Sequence, residues 1–305
     1  MSDGHLAVII NPRSGAGADP SVAARRVALV RAELDRRGLH ATIDVTAHRG
    51  HARELAAASL AHGVSTVVVW GGDGTVNEAA TPLIGSRTAM GLIPAGSGNG
   101  LAAALGVPWG PIEALAVALD TPARPIDVGM LNDRPFFNVA GVGLDARIAR
   151  LFNERKGRSR GRWPYVTLGV REGCRYRGQE YRVRLDEDVR TTNALLIVFA
   201  NGREFGMGAR IAPQAQLDDG LLEAIVIEER SVIARFWHAR HLAFGTIDRA
   251  PRVTVRPVRS AAIEGTGPLQ YHVDGEHGVA DRRVEVRVVP GALLVKAMPV
   301  RGSSA

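Results

Sequence analysis

The sequence predicts an α/β first half followed by a mostly β second half, and three observations carry that expectation. Short runs rich in Val and Ile alternate with helical patterns as far as about Pro125. Three of those runs end in glycine-rich turns. Beyond Pro125 the texture changes to short strand-like runs separated by Gly, Asp, Asn and Pro. Continuous β-branched strands alternating with helices form a parallel sheet covered on both faces. Ligands of such sheets bind outside the carboxyl ends of the strands, where these turns lie. The expected domains are residues 1–125 and 126–305.

In chain order, Leu6 to Ile10 reads as a buried strand, and Val22 to Arg37 as a helix closed by Gly38. Thr42 to Val45 is a strand and Ala52 to Ala61 a helix. Thr66 to Trp70 is a strand running into Gly71-Gly72-Asp73-Gly74-Thr75, and Met90 to Ile93 a strand leading into Pro94 to Gly100 and a helix from Leu101. In the second half, strands are expected at Phe136 to Val139, Tyr181 to Leu185, Ala194 to Phe199, Leu221 to Ile227, Arg252 to Val255, Val284 to Val289 and Leu293 to Lys296. Ser231 to Phe244 has a helical pattern, and Arg301 to Ala305 reads as a frayed tail.

Composition narrows the chemistry. The 305 residues carry a net charge of +7, supplied almost wholly by arginine, because Lys156 and Lys296 are the only lysines. Neither follows a glycine-rich loop, so a P-loop is excluded. One cysteine, Cys174, permits neither an intrachain disulfide nor a cysteine-based zinc site, and fits a reducing cytoplasm. No apolar run approaches the ~20 residues that span a bilayer. Positive charge attracts polyanions, whether nucleic acid, anionic lipid head groups or a nucleotide. No aromatic-basic module supports the first of these.

The turns carry the chemistry. Glycines after a strand let backbone N–H groups approach an anion, and the helix that follows adds its positive end. Trp70 to Glu78 thus builds a phosphate cradle without lysine. Asp73 within it suits a ribose hydroxyl, a bound magnesium, a proton transfer or a plain helix cap. Asn11-Pro12-Arg13-Ser14-Gly15 offers an amide and a hydroxyl at the end of the first strand, though by itself it reads as a helix N-terminus with a Ser cap, and Gly96-Ser97-Gly98-Asn99 is a third loop of small donor-rich residues. Thr46 adds a hydroxyl after a fourth strand. Several such turns at one sheet edge are hard to explain as turns alone.

The combination resembles the diacylglycerol kinase catalytic domain family, which includes bacterial lipid kinases, sphingosine kinases and ceramide kinases. The resemblance spans roughly residues 6 to 296. Beyond the three turns it includes Ile126-Asp127-Val128-Gly129, Gly143-Leu144-Asp145-Ala146, Pro213-x-Ala215-x-Leu217-Asp218-Asp219-Gly220 and Val273-Asp274-Gly275-Glu276. It implies a Rossmann-like α/β domain, of the phosphofructokinase and NAD kinase type, followed by a mostly antiparallel β-sandwich domain. It further implies ATP- and magnesium-dependent transfer of a γ-phosphoryl group to a lipid hydroxyl. The nucleotide would lie against Asn11, Pro12, Arg13, Ser14, Gly15, Thr46, Gly71, Gly72, Asp73, Gly74, Thr75, Asn77 and Ser97. Asp274 and Glu276 would supply the general base, and Asp73 would join them in the catalytic set. Carboxylates suit that work because an alcohol is a poor nucleophile at neutral pH. An Asp-Gly hairpin turn is the alternative at Asp274-Gly275.

By the same resemblance, Asp127, with Asp73 and Asp274, would hold water around a catalytic magnesium. Gln216, Asp219 and Leu221 would form a second, structural magnesium site, against the alternative of an exposed acidic turn. Asp145 would lie near a lipid head group or cap a strand end. Gly100 departs from the Asp of many bacterial diacylglycerol kinases and matches the small residue of sphingosine kinases. An NAD kinase shares the Gly-Gly-Asp-Gly turn, and a non-catalytic regulator on the same scaffold is a further alternative. His48, His51, His238 and His241 read as surface or capping residues. The arginines of Arg155 to Arg177, beside Trp163 and Tyr165, suggest a patch that faces anionic lipid, with a solvated loop as the alternative, and the protein is expected to be cytoplasmic, peripheral to the membrane and compatible with a homodimer.

Overall fold

The computed structural model describes residues 5–15, 19–154, 168–169, 171–173, 175–203, 211–229, 241 and 245–298. The chain divides into two compact units, Met1–Ile126 with Gly291–Ala305, and Asp127–Pro290. The first boundary falls one residue beyond the expected one. The last stretch of chain, expected in the second domain, groups with the first.

In the first unit, β1 (Leu6–Ile10), β2 (Ala41–Val45), β3 (Thr66–Gly71) and β4 (Ala89–Pro94) form a parallel ladder in the order β2-β1-β3-β4. Every residue of β1, and Val67 to Gly71 of β3, is buried, as continuous apolar runs require. Helix α1 (Pro20–Arg37) starts at Asp19, whose carboxylate accepts from the Ser21 amide, and stops at Gly38 in the left-handed conformation, φ 65°. Helices α2 (His51–Ala61), α3 (Asp73–Ala80), α4 (Gly100–Ala104) and α5 (Pro111–Asp120) complete the set. The connection after β1 leads to β2 on one side, whereas that after β3 leads to β4 on the other. The sheet therefore reverses its direction of growth between β1 and β3, and the turns after those strands flank the switch point where α/β sheets hold ligands.

The fifth strand of this sheet comes from the far end of the chain. Val295 of β15 (Arg283–Lys296) pairs in parallel with Met90, the Ala292 carbonyl accepts from the Gly85 amide at 2.7 Å, and Lys296 Nζ donates to the Thr121 carbonyl at 2.7 Å. Two strands were expected here, Val284 to Val289 and Leu293 to Lys296. One strand runs through both stretches, with Gly291, at φ 59°, following Pro290 between them.

The second unit carries the end of β5 (Ala123–Leu131), then β6 (Arg134–Phe136), β7 (Val139–Gly143), α6 (Leu144–Asn153), β8 (Gln179–Leu185), β9 (Asp188–Ala200), β10 (Leu222–Glu228), β11 (Val253–Val258), β12 (Ser260–Gly265), β13 (Leu269–Val273), β14 (Glu276–Ala280) and the first part of β15. Its strand pairs are antiparallel. Residues two apart share a sheet face. Accordingly Ile197 and Phe199 of β9 enter one apolar cluster with Val183, Val226 and Val284, and Leu196, Val198 and Ala200 enter another with Leu144 and Ile148 of α6. The strand expected over Phe136 to Val139 is instead a break between β6 and β7, for a reason given below. Ser231 to Phe244, His241 excepted, lies outside the described residues, as does most of the Arg155 to Arg177 stretch with Trp163 and Tyr165. Among the described residues no helix is long and apolar enough to cross a membrane.

Phe199 is fully buried and its strand pairs with β7 and β10. Phe199→Ala is expected to cost about 3–5 kcal/mol, read as a lower urea midpoint with an unchanged slope.

Candidate functional site

Side chains of one turn bond to the next at the switch point. Asn11 Nδ2 donates to Thr75 Oγ1 at 2.7 Å, and the Gly72 amide donates to Ser14 Oγ at 3.2 Å, so the first turn is bonded twice to the second. The third turn is held by Asp73, whose carboxylate accepts the amides of Asn99 at 2.8 Å and Gly100 at 2.7 Å. Asn99 closes its own loop by accepting from the Gly96 amide and donating to the Gly96 carbonyl, both at 2.7 Å. Small residues are obligatory where these turns meet. A Cβ on Gly96 would stand 2.7 Å from the Gly72 Cα, and one on Gly15, at φ 77°, would collide with the Ala95 carbonyl.

Of the sequence-predicted residues, Asn11, Ser14, Gly15, Gly72, Asp73, Thr75 and the Gly96 to Asn99 loop that carries Ser97 therefore meet. Gly71 is buried under Thr75, and Gly74 and Ser97 are exposed. Pro12 and Arg13 belong to the first turn, where the Arg13 amide donates to Asn11 Oδ1 at 2.9 Å. Asn77 lies on α3, its carbonyl accepting from Thr81 Oγ1. Thr46 is fixed by its amide, which donates to the Ile10 carbonyl at 2.9 Å. The sequence reading gave Asp73 several chemical roles; its carboxylate here also serves the backbone of α4.

Sequence reading missed Arg26. From α1 its guanidinium donates to the Asn11 carbonyl at 2.5 Å and the Ser14 carbonyl at 2.8 Å, and stacks over Trp70 at 5.1 Å. Partial burial pulls its pKa below the ordinary arginine value. Its signal was faint, an arginine one helical turn after Val22 on an otherwise amphipathic helix.

The acidic residues of the second unit follow the same rule. Asp127 is 2% exposed; its Oδ2 accepts the Gly220 amide at 2.6 Å and its own amide donates to the Leu217 carbonyl at 2.6 Å. That seats Asp127 under the Asp218-Asp219 turn. Partial desolvation, with the charges of Asp127 and Asp218, holds the Asp219 carboxyl above its ordinary value, while the Leu221 amide bond opposes this. Burial and the Asp219 charge likewise raise Glu223. Gln216 is exposed and Leu221 half-buried at the same turn. Crowded carboxylates with neighbouring carbonyls are a hard-oxygen donor set of the kind magnesium prefers.

Asp274 and Gly275, at φ 46° and 85°, are the two-residue loop of the β13–β14 hairpin, with Val273 paired to Glu276. The Asp274 carboxylate accepts three amides, from Phe137 at 2.8 Å, Asn138 at 3.0 Å and Val139 at 3.1 Å. Those amides leave the strand ladder to do so, which is why the expected Phe136 to Val139 strand is broken. Buried Asn201 donates to the carbonyls of Asp127 at 2.8 Å and Phe137 at 3.1 Å, tying the Asp127 strand to this cradle. Asp145 is 4% exposed and bonded to His272, itself 1% exposed. Glu276 is half-buried at the start of β14.

Of the histidines expected as surface or capping residues, His51 does not cap α2; its Nδ1 accepts from the Ala47 amide in the preceding turn at 3.0 Å. Its ring stacks on exposed His48, and with Glu54 their ligand atoms come within 4.8 Å. A metal on His51 Nδ1 would have to displace the Ala47 bond.

Comparison with known proteins fits both units. Residues 5–131 match the diacylglycerol kinase catalytic domain, and residues 138–297 match the YegS C-terminal NAD kinase beta sandwich-like domain. A probable lipid kinase YegS-like protein of Chromohalobacter salexigens is 35% identical over 264 residues, covering 85% of each chain. The probable lipid kinase YegS of Salmonella typhimurium is 29% identical over 301 residues, covering 94% of each. The crystal structure of a diacylglycerol kinase from Bacillus anthracis superposes with a TM-score of 0.73 at 21% identity, covering 97% of both chains, and so shares the fold.

Arg26→Ala would remove the guanidinium donor from the Ser14 carbonyl and leave the Asn11 carbonyl with the Ser14 amide, 3.4 Å away. A loss of about 1–3 kcal/mol is expected, measured by thermal unfolding, with Arg26→Lys recovering part of it.

Proposed function

This chain belongs to the YegS-like lipid kinases, built from a diacylglycerol kinase catalytic domain and a YegS C-terminal domain, and on that premise we propose that it phosphorylates a lipid hydroxyl with ATP and Mg2+ at a membrane surface. The observation that carries the reading is the bonding of three small-residue turns at the sheet's switch point. The Gly71 to Thr75 turn brings the first backbone amides of α3, from Asp73 on, to the phosphates. Asn11 to Gly15, Thr46, Asn77 and Ser97 hold the rest of the nucleotide. With only two lysines in the chain, amides and small hydroxyls replace the phosphate-binding lysine of other kinases.

In the transfer, the lipid hydroxyl oxygen bonds to the γ-phosphorus as the bond to the β–γ bridging oxygen breaks, and ADP departs with that electron pair. The hydroxyl proton passes to a carboxylate. Glu276 is our candidate for that proton, and the three backbone amides on the Asp274 carboxylate mark that residue as the one that shapes the turn. Asp274 then fixes the turn from which Glu276 works. A catalytic Mg2+ would neutralise phosphate charge, with Asp127 a carboxylate that suits it through water; Asp219 and the Gln216 and Leu221 carbonyls would hold a second, structural Mg2+.

Labelled ATP with a panel of diacylglycerol, ceramide, a sphingoid base, phosphatidylglycerol and NAD tests the reading. A labelled lipid supports it; NADP with no labelled lipid overturns it. Glu276→Gln is expected to lower kcat about 10²–10⁴-fold with the ATP KM little changed. Asp274→Asn is expected to abolish turnover and also lower Tm, since an amide nitrogen cannot accept a backbone N–H.

Asp219 gives a test without turnover. Its carboxyl is raised above the ordinary 3.8 in the folded chain, so its share of stability is present below that value and is lost as pH rises through the raised one. In chelator, Asp219→Asn should therefore be less destabilised than the parent chain by raising the pH through that window. Added Mg2+ should raise the Tm of the parent more than that of Asp219→Asn.

A further inference from the structure

Two side chains buried behind the Asp274-Gly275 turn are unused by the chemistry above. His272 on β13 and Asp145 at the start of α6 are 1% and 4% exposed, and His272 Nε2 lies 3.1 Å from Asp145 Oδ2. Burying a carboxylate and an imidazole together carries a desolvation penalty that an apolar pair would avoid, so stability alone does not account for them. What a polar pair adds is direction.

The bonds give that direction. The Gly275 amide donates to His272 Nδ1 at 3.3 Å. A ring nitrogen that accepts cannot carry the proton, so the proton sits on Nε2 and is donated to Asp145. The other Asp145 oxygen accepts the Ala146 amide at 2.8 Å, which fixes the carboxylate to the first turn of α6. Gly141, paired with His272 across the ladder, leaves the space the carboxylate fills, since a Cβ there would collide with Asp145 Oδ2. At the far end of the same helix, Asn153 Nδ2 donates to the Gly275 carbonyl at 2.9 Å. Helix α6 thus holds both polar groups of the Gly275 backbone, the amide through the Asp145–His272 relay and the carbonyl through Asn153.

We propose that Asp145, His272 and Asn153 are positioning residues that orient the Asp274-Gly275-Glu276 turn from helix α6, the relay setting its amide side and Asn153 its carbonyl side. The Asp274 cradle fixes one corner of the turn; α6 fixes the next, and with it the direction in which Glu276 leaves. This rests on the kinase reading for its consequence, though the orientation itself can be observed without substrate.

Nitrogen-15 NMR of the histidine rings, with His272→Gln to identify the signal, should show His272 protonated at Nε2 and bare at Nδ1. The opposite tautomer overturns the relay. Amide exchange at Gly275 should quicken about tenfold on loss of either bond. Asp145→Asn tests the relay, and Asn153→Ala, at an exposed position, tests the other grip without disturbing a buried group. In the kinase assay both variants should lower kcat at least about fivefold with the ATP KM unchanged, and Asn153→Gln should recover more than Asn153→Ala. Unchanged Gly275 exchange in both folded variants, or a changed KM at constant kcat, overturns the proposal. Absence of lipid phosphorylation by the parent chain would instead overturn the kinase reading and leave the tautomer and exchange results to judge the positioning.

Discussion

A backbone amide withdrawn from a helix or strand ladder must find another acceptor, and at three of this protein's turns aspartate supplies it. Asp73 takes the amides of Asn99 and Gly100, Asp127 that of Gly220, and Asp274 those of Phe137, Asn138 and Val139. Such charge-assisted bonds are stronger than neutral ones, and each fixes a loop to an element distant in sequence. The turns can be irregular, glycine-rich and open to a ligand because their polar groups are already satisfied from behind.

That arrangement gives one residue two kinds of work. A carboxylate has room for about four hydrogen bonds, so an aspartate that anchors a loop keeps capacity for a cation or a hydroxyl. Asp127 illustrates the economy, holding the Asp218-Asp219 turn with one oxygen while its charge raises the neighbouring Asp219 carboxyl. Substituting such a residue removes architecture along with the chemistry the proposed reaction assigns it, so readouts that separate kcat, KM and folding are needed to read its variants.

The parallel half was readable from sequence almost strand by strand, because buried β-branched runs ending in glycine turns have few competing interpretations. Leu6–Ile10 was placed to the residue. The second half was harder for a physical reason. Phe136 to Val139 is apolar enough for a strand, and only the distant Asp274 carboxylate draws its amides out of the ladder. Ser260–Gly265, Leu269–Val273 and Glu276–Ala280 are short and mixed in polarity, and beyond the Leu269–Val273 to Glu276–Ala280 hairpin the first two pair with strands far back in the chain. The candidate site divides similarly. Turn motifs announce themselves locally, whereas Arg26, Asn201, His272 and Asn153 act through backbone groups that no local pattern reveals.

The long strand β15 bears on how the protein is made. Arg283 to Arg287 pair with β12, whereas Val295 pairs with Met90 at the open side of β4. A nascent chain containing only the α/β half would expose that β4 edge to water, and unpaired edges recruit other strands. The α/β half thus waits for sequence translated some 200 residues after Met90, and a fragment ending near residue 131 would present the ribosome and its chaperones with an unclosed, aggregation-prone sheet.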